Sequence, residues 1–340
     1  WELVREGFQQ IVAWQGIVEK VAEKGYGRIA IVGPVESGKS TLTAWLYNAT
    51  GLCAIESDVG QNELGTPAAV SLAYGGKRVL TLQDLEPDLV FFVGHVSAAK
   101  VADLVVAGAV RAARRCQRFV VDTDGFVSGR GLYYKRSLVE ALEADLVIVM
   151  EPLDPAPFSA TSADVIRAPR PPLARERNRV DRRSFRQRAY ASMFASSPPT
   201  PLAPSRFVGL CELVELGEEL RGKAVAYRCE DGLYLERLGA GYVKAPEGVR
   251  VLPHRWWKGL LVGLKLSDGR EELAVIERAS FHEGMVVVRI RRGSTVEPKS
   301  VEAVVLGWVK LNENYEEELL DPGTHPSAIM KGSGRRVRRA

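Results

Sequence analysis

The residues best suited to chemistry form a P-loop, residues 33–41, in the stretch IAIVGPVESGKSTLTAWLYNATG. Four residues separate two glycines, and a lysine and a serine follow, which is the spacing of a phosphate-binding loop. Glycines let backbone N–H groups turn onto phosphate oxygens, and the next helix N-terminus adds partial positive charge. The sequence therefore predicts a site for ATP or GTP, formed by Gly33, Glu36, Ser37, Gly38, Lys39, Ser40 and Thr41.

Three side chains of the P-loop have separate expected roles. Lys39 should reach the β- and γ-phosphates, and Thr41 should support the α-phosphate. The hydroxyl of Ser40 should bind Mg²⁺. We therefore expect Mg²⁺ to accompany the nucleotide.

An acidic pair in the stretch IESDVGQ provides the second set of candidates. Glu56 and Asp58 are two positions apart, so they point to the same side of an extended segment. We assign Glu56 to the metal, together with Ser40, and Asp58 to a reacting hydroxyl. Acids on the strand directly after the P-loop helix are typical of P-loop kinases, and the Asn-Lys-x-Asp motif of GTPases is absent.

The stretch VVDTDGFVSGRG, residues 120–131, ends a further apolar run with polar residues. The carboxyl edge of a parallel sheet is where ligands bind, so polar residues at such a strand end are candidates for contact with a ligand. We expect Thr123 and Gly125 to contact the γ-phosphate or the group that accepts it.

Residues 167–188 contain nine arginines and two acids. Four of the arginines are spaced by four, three and four residues, so a helix would present them on one face: Arg175, Arg179, Arg182 and Arg186. A mobile arginine helix over a triphosphate would exclude water and offset its negative charge. The structural alternative is an ordinary solvated helix face.

The elements that must position these residues alternate along the chain. Apolar strands such as RIAIVG, LCAIES and RFVVDT are followed by helices, which predicts an α/β fold with a doubly wound parallel sheet. The stretches AAVSLAY and RVLTLQ, joined around Gly75 and Gly76, predict a hairpin inserted after the second strand.

Composition changes along the chain predict its domains. We expect a leader helix in residues 1–27, ended by Gly25, and a P-loop kinase domain in residues 28–200 with a helical lid at about residues 159–195. Short apolar runs then predict a smaller all-β domain, a barrel or sandwich, in residues 206–312. A tail with a basic end follows at residues 313–340.

Bulk composition limits the classes of protein. The 340 residues are 46% apolar with a net charge of +4, which is ordinary for a soluble protein, and no apolar run suits a membrane span. Four cysteines far apart predict reduced thiols and a cytoplasmic location. Four histidines without ligand-like spacing argue against zinc. The uneven basic charge predicts a polyanionic partner.

Three motifs in order, GPVESGKST, ESDVGQNELGTP and DTDGFVSGRG, resemble those of the polynucleotide 5′-hydroxyl kinases of RNA processing. That family includes the kinase subunit of messenger-RNA cleavage factor and of tRNA splicing, the nucleolar ribosomal-RNA kinases and their archaeal relatives. The resemblance covers residues 28–194, where RVDRRSFRQRAYASMF is similar to the family's arginine-bearing lid. With only a short leader before the P-loop, the chain is most similar in build to the archaeal members of that family.

The resemblance implies a role for each matching residue. Asp58 would be the base that takes the proton of the 5′-hydroxyl, and Lys39 with Arg182 and Arg186 would stabilise the transferring phosphoryl group. The terminal nucleotide would be bound by four residues, with Phe126 where the family usually has Trp: Gln61, Thr123, Gly125 and Phe126.

The expected function is transfer of the γ-phosphate of ATP or GTP to the 5′-OH of RNA, with DNA as a further candidate acceptor. RNA-processing proteins are candidate partners. Two alternatives remain open at this point. One is an ATP-bound scaffold for RNA-processing partners, and the other is a regulatory P-loop ATPase that does not act on RNA.

Overall fold

The computed structural model describes residues 2–171, 178–229, 232–239, 241 and 243–320. The chain divides into two compact units, and the division falls between Ala189 and Tyr190. No helix in the described part of the chain combines the length and apolar character needed to cross a membrane.

The first unit alternates strands and helices, as the sequence predicts. Its helices are α1 (Glu2–Lys24), α2 (Lys39–Thr50), α3 (Ala102–Ala113), α4 (Arg130–Ala141) and the first part of α5 (Arg179–Phe194). Its strands are β1 (Arg28–Val32), β2 (Cys53–Glu56), β3 (Ala69–Ala73), β4 (Leu89–Phe92), β5 (Phe119–Asp122), β6 (Leu146–Met150) and β7 (Asp164–Ala168). They form one sheet in the order β4-β3-β2-β5-β1-β6-β7.

Five strands of this sheet are parallel, because β2, β5, β1, β6 and β7 each pair in the parallel sense with the next. Most are continuous apolar runs buried along their length, as expected where helices cover both faces. Parallel strands end at the same edge, so the loops after β1, β2 and β5 lie together. That edge contains the P-loop and the stretches ESDVGQNELGTP and DTDGFVSGRG.

The predicted hairpin after β2 is wrong in its second half. β3 pairs antiparallel with β2, and its other neighbour is β4 rather than RVLTLQ. The side chain of Asp84 accepts the backbone N–H groups of Leu80 and Thr81, and Asn48 holds Val79 in the same way. These bonds fix an irregular loop and a single 3₁₀ turn, Leu82–Asp84, where the sequence predicts a strand.

Helix α1 ends where the sequence predicts. Gly25 adopts a φ of 71° and its N–H bonds the carbonyl of Val21, a conformation that favours glycine after a helix. The buried face of α1 includes Trp14, Ile17 and Val21, spaced at helical intervals. Helix α1 therefore packs on the first unit and is part of its core.

The predicted helical lid, residues 159–195, is only partly helical. Its first part contains β7, which pairs with β6 at the edge of the sheet because an apolar segment replaces the helical pattern there. Helix α5 begins after Asn178, whose side-chain oxygen accepts the N–H groups of Val180 and Asp181. The carboxylate of Asp181 accepts the N–H of Asn178 in return, which completes a cap of the capping-box type.

The second unit is rich in strands, as the sequence predicts. Its strands are β8 (Pro199–Leu202), β9 (Arg206–Val208), β10 (Glu212–Val214), β11 (Ala224–Cys229), β12 (Gly232–Arg237), β13 (Arg250–Leu252), β14 (Leu260–Leu266), β15 (Glu271–Ser280), β16 (Met285–Ile290), β17 (Val301–Leu311) and β18 (Glu317–Leu319). Four of them form the sheet β10-β11-β12-β13, and the others form a second sheet, β18-β17-β14-β15-β16-β8, with β9 beside β17.

The cysteines contradict the prediction of reduced thiols, because they form two disulfides. Cys53 begins β2 and Cys116 lies just before β5, the strand paired with β2, so their Cα atoms are 6.5 Å apart. Cys211 precedes β10 and Cys229 ends the antiparallel strand β11, which places their Cα atoms 5.2 Å apart. Strand pairing brings together cysteines that are 63 and 18 residues apart in sequence.

Candidate active site

The P-loop curls around its own lysine. Glu36 and Gly38 have φ angles of 60° and 91°, which turn the chain sharply before α2. The buried Ser37 hydroxyl donates to the carbonyl oxygen of Pro34 at 2.9 Å, and the ammonium of Lys39 donates to the same oxygen at 2.7 Å. Lys39 therefore lies inside the loop, where the phosphates of a nucleotide would replace its carbonyl partner.

The remaining P-loop residues lie at either end of this turn. Gly33 follows β1, where a Cβ atom would come within 2.6 Å of the Cβ of Met150, so only glycine fits against β6. Ser40 and Thr41 are in the first turn of α2; the first is half-buried and the second is exposed.

A carboxylate that the sequence analysis missed lies beside Ser40. Asp122 ends β5, is 2% exposed and accepts a hydrogen bond from the Ser40 hydroxyl. Burial raises the pKa of Asp122 to about 7, although Lys39 and Ser40 act in the opposite direction. Its Oδ1 is buried with no hydrogen-bond partner in the described part of the chain. An unpartnered carboxylate oxygen next to a P-loop serine fits a Mg²⁺ site.

Glu56, which the sequence analysis assigns to the metal, instead holds the backbone. Its Oε1 accepts the N–H of Asp58 at 3.0 Å and its Oε2 accepts the N–H of Glu63 at 3.3 Å. Burial, together with the nearby Asp122 and Asp58, raises the pKa of Glu56. The structure therefore makes Glu56 the support of the acid loop, residues 56–63, and Asp122 the carboxylate next to Ser40.

The described residues contain no cluster of three or more His, Cys, Asp or Glu side chains suited to a metal ion. A cation at Ser40 and Asp122 would need the phosphates of the nucleotide to complete its ligands, as Mg²⁺ does in P-loop proteins.

Asp58 is half-buried on the acid loop. Its Oδ1 accepts the N–H groups of Gly60 at 2.9 Å and Gln61 at 2.8 Å, which fixes the carboxylate. Burial is the main cause that raises the pKa of Asp58, followed by the negative charge of Asp124, whereas Lys39 and the two N–H groups lower it. An oriented carboxylate with a raised pKa is a reasonable acceptor for a proton.

Helix α5 brings two arginines to these loops. The guanidinium of Arg182 lies 3.7 Å from the carboxylate of Glu36 on the P-loop. That of Arg186 donates to the carbonyl oxygen of Gly60 at 3.3 Å, and Gln61 donates to the carbonyl of Arg182 at 3.3 Å. The shared face predicted for Arg182 and Arg186 is therefore observed.

Arg183, further round α5, is exposed. Arg175 lies outside the described residues.

The acceptor loop, residues 122–129, contains the other predicted substrate residues. Thr123 is buried, and its hydroxyl donates to the carbonyl oxygen of Ile31 at 2.8 Å, so it ties β5 to β1. At Gly125 a Cβ atom would lie 2.5 Å from the backbone nitrogen of Val35, so glycine lets this loop touch the P-loop. Phe126 is half-buried.

A comparison with protein families identifies the domain that contains this site. The family model "mRNA cleavage and polyadenylation factor CLP1 P-loop" matches residues 33–196. These residues are similar to a CLP1 P-loop domain. They include the P-loop, the acid loop, the acceptor loop and α5. The resemblance predicted from the three motifs is therefore confirmed.

Relatives of the CLP1 P-loop domain include kinases with curated names. A polyribonucleotide 5′-hydroxyl-kinase of Pyrococcus horikoshii is 33% identical over 143 residues, 39% of this chain and 40% of that protein. One of Pyrococcus furiosus is 28% identical over 319 residues, 85% of this chain and 89% of that protein. A CLP1 homologue of Dictyostelium discoideum is 26% identical over 167 residues, 42% of this chain and 36% of that protein.

Solved CLP1 structures share the fold. The wild-type Clp1p–Pcf11p complex matches with a TM-score of 0.57 and 13% identity, over 89% of this chain and 79% of that chain. A second Clp1p structure, of a Gly135Arg mutant and its interface with Pcf11p, gives a TM-score of 0.55 and 12% identity. At such identity the likeness supports the fold alone.

Proposed function

We propose that this chain is a polynucleotide 5′-hydroxyl kinase that transfers the γ-phosphate of ATP or GTP to the 5′-OH end of RNA. The observation that supports this most is the convergence of three parts on one sheet edge. Arg182 lies 3.7 Å from the P-loop carboxylate of Glu36, and Arg186 bonds the acid loop that contains Asp58. A phosphate site, a base and a cationic helix are the parts that phosphoryl transfer needs.

In the proposed reaction the 5′-hydroxyl oxygen attacks the γ-phosphorus, and the bond from that phosphorus to the β–γ bridging oxygen breaks. Asp58 takes the proton of the hydroxyl through Oδ2, because Oδ1 is occupied by the N–H groups of Gly60 and Gln61. Lys39, Arg182 and Arg186 offset the charge on the transferring group, and the nucleoside diphosphate leaves.

Ser40 and Asp122 would hold the Mg²⁺ that accompanies the nucleotide. The ion would neutralise phosphate charge and help to orient the γ-phosphate. The unpartnered Oδ1 of Asp122 supports this assignment, which replaces Glu56 by Asp122.

The acceptor and partners follow from the relatives as proposals. Several archaeal relatives are named polyribonucleotide 5′-hydroxyl-kinases, which supports RNA as acceptor, with DNA as a second candidate. We expect Gln61 and Phe126 to contact the terminal nucleotide, because both lie at the same sheet edge as Asp58. The solved Clp1p chains are in complex with Pcf11p, and a protein partner in RNA processing stays a proposal for this chain.

The proposal is tested by end-labelling. The protein is incubated with Mg²⁺, γ-labelled ATP or GTP, and an RNA or DNA oligonucleotide with either a 5′-OH or a 5′-phosphate. We expect label on the 5′-OH oligonucleotide alone, and a loss of about 10²–10³ in rate for Lys39→Ala. Equal labelling of both oligonucleotides, or none with any acceptor, would contradict the proposal.

A further inference from the structure

A buried lysine lies directly beneath the acceptor loop. Lys135 is 0% exposed on α4, and its ammonium donates to Oδ2 of Asp124 at 2.7 Å. Tyr134, 6% exposed, donates its hydroxyl to the same oxygen at 2.8 Å. The other oxygen of Asp124 accepts the backbone N–H of Phe126 at 2.8 Å. One carboxylate thus joins helix α4 to the backbone of the acceptor loop.

A buried ion pair of this kind has a large desolvation free energy. Its presence therefore suggests a role that an apolar pair could not fill. Desolvation of two ions opposes their mutual attraction, so a well-packed apolar pair is often as stable or more stable. An apolar pair could not, however, accept the N–H of Phe126. The chain also needs Gly131 here, because a Cβ atom would lie 2.4 Å from the carbonyl oxygen of Phe126. Helix α4 therefore contacts the acceptor loop at two points, through the bond of Lys135 to Asp124 and through the close approach of Gly131 to Phe126.

Resting on the proposed function, we propose that Lys135 is a positioning residue for the polynucleotide acceptor. Lys135 acts through Asp124, because it orients the Asp124 carboxylate. That carboxylate in turn fixes the backbone of the acceptor loop at Phe126, where the terminal nucleotide would bind. Lys135 is too deeply buried to contact either substrate, so its effect on transfer must pass through the loop.

The proposal separates the two substrates of the reaction. We expect the P-loop to hold most of the nucleotide, and its polar side chains Ser37 and Lys39 bond the carbonyl of Pro34 rather than Lys135 or Asp124. Loosening the acceptor loop should therefore raise KM for the oligonucleotide more than KM for the nucleotide. A purely structural ion pair would lower stability without this separation.

The experiment combines kinetics with hydrogen exchange on the full chain. We expect Lys135→Met to raise KM for a 5′-OH oligonucleotide by on the order of tenfold or more and to change KM for the nucleotide far less. We also expect the amide of Phe126 to lose protection from exchange, because its acceptor carboxylate is no longer held. Exchange is read without turnover, so it tests the positioning role even if the protein transfers no phosphate.

Two sets of variants make the result decisive. Because Lys135 acts through Asp124, we expect Asp124→Asn combined with Lys135→Met to raise KM about tenfold, rather than the hundredfold expected for independent sites. Tyr134→Phe is a milder probe, because it removes one hydrogen bond to Asp124 and leaves the Lys135–Asp124 ion pair in place. Its control is Tyr133→Phe, at an exposed neighbouring residue.

Three outcomes would overturn the proposal. They are a folded Lys135→Met variant with unchanged protection at Phe126, multiplicative losses in the double variant, and equal effects on both KM values. Absence of transfer by the unmodified protein would instead contradict the proposed kinase function.

Discussion

The proposed function makes Asp58 the base that takes the proton of the acceptor hydroxyl. We expect Asp58→Asn to lower the rate of transfer at saturating substrates by about 10²–10⁴-fold, the usual contribution of a general base. The amide keeps the side-chain shape and still accepts the N–H groups of Gly60 and Gln61. Single-turnover rates and nucleotide affinity are measured together. A variant that loses nucleotide affinity but keeps its rate would show that Asp58 serves the metal.

The proposed Mg²⁺ site at Ser40 and Asp122 predicts that Mg²⁺ binding depends on pH. Burial raises the pKa of Asp122 to about 7, above its ordinary value, so the carboxyl of the folded protein holds its proton until about neutral pH. Mg²⁺ binds the ionised form, so its affinity should be full above that pKa and should fall as pH decreases through it. We expect the half-saturating Mg²⁺ concentration to rise about tenfold per pH unit below about pH 7.

The matched control for this pH dependence is Asp122→Asn, which should need more Mg²⁺ at every pH and lose the dependence. Mg²⁺ titrations from about pH 6 to about pH 8 measure both proteins. An unchanged dependence in the variant would assign the titration to another group.

Sequence reasoning predicted the site residues that belong to a recognisable spacing, and it passed over residues that only the fold brings to the site. Lys39 and Asp58 follow from motifs, and Arg182 follows from helical periodicity. Asp122 was missed although its signal is visible, since it ends an apolar run on a strand next to β1. Lys135 was missed because a lysine is assumed to be exposed, although the pattern of buried positions on α4 includes its own.

At the scale of elements, α5 has two opposed interpretations. The proposed function makes it a source of catalytic arginines, whereas the alternative makes it an ordinary solvated helix face. We expect Arg182→Ala or Arg186→Ala to lower the rate of transfer by about 10³ or more, as loss of an arginine finger does. Lysine at either position should restore only part of the rate, because an ammonium lacks the planar fork that spans two phosphate oxygens. Rates are measured at saturating nucleotide and oligonucleotide.

The exposed Arg183 offers the control on the same helix, and Arg183→Ala should leave the rate close to that of the unmodified protein. Unchanged rates in all three alanine variants, at Arg182, Arg183 and Arg186, would show that α5 is an ordinary solvated helix face.

The elements show where sequence patterns lose information. Continuous apolar runs identified β1, β2, β5 and β6, because strands buried on both faces differ clearly from amphipathic helices. The hairpin predicted around Gly75 and Gly76 placed a strand at RVLTLQ, where bonds from Asp84 and Asn48 stabilise a loop that no periodicity indicates. Strand β7 was missed because it lies within the predicted helical lid, residues 159–195.

The disulfides differ in the length of chain that they close, which predicts their contributions to stability. Cys53 and Cys116 are 63 residues apart, and Cys211 and Cys229 are 18 residues apart. Constraint of the unfolded chain predicts about 2–4 kcal/mol for each. The longer loop should contribute more, by about 1 kcal/mol.

Pulse proteolysis of the two paired Cys→Ser variants measures these losses. A larger loss for the 18-residue loop would contradict the loop-entropy account. The prediction of reduced thiols failed because cysteine spacing in sequence carries no information about which strands pair.

At the scale of the whole molecule, residues 33–196 are similar to a CLP1 P-loop domain, and the second compact unit contains two sheets. The convergence of the P-loop, Asp58 and α5 predicts a site that protects the phosphoryl group from water until an acceptor arrives. A scaffold that only holds ATP, or an ATPase that does not act on RNA, would need neither the base nor its alignment with the acceptor loop.

The central claim is therefore that the γ-phosphate passes to a polynucleotide and not to water. The most direct measurement is a single turnover with excess protein, Mg²⁺ and limiting γ-labelled nucleotide, with and without 5′-OH RNA. The label is then divided among intact nucleotide, inorganic phosphate and the RNA 5′ end. We predict that most label reaches RNA when it is present and that most nucleotide stays intact when it is absent. Label that remains in nucleotide despite RNA, or that appears as inorganic phosphate at the same rate with and without RNA, would contradict the account.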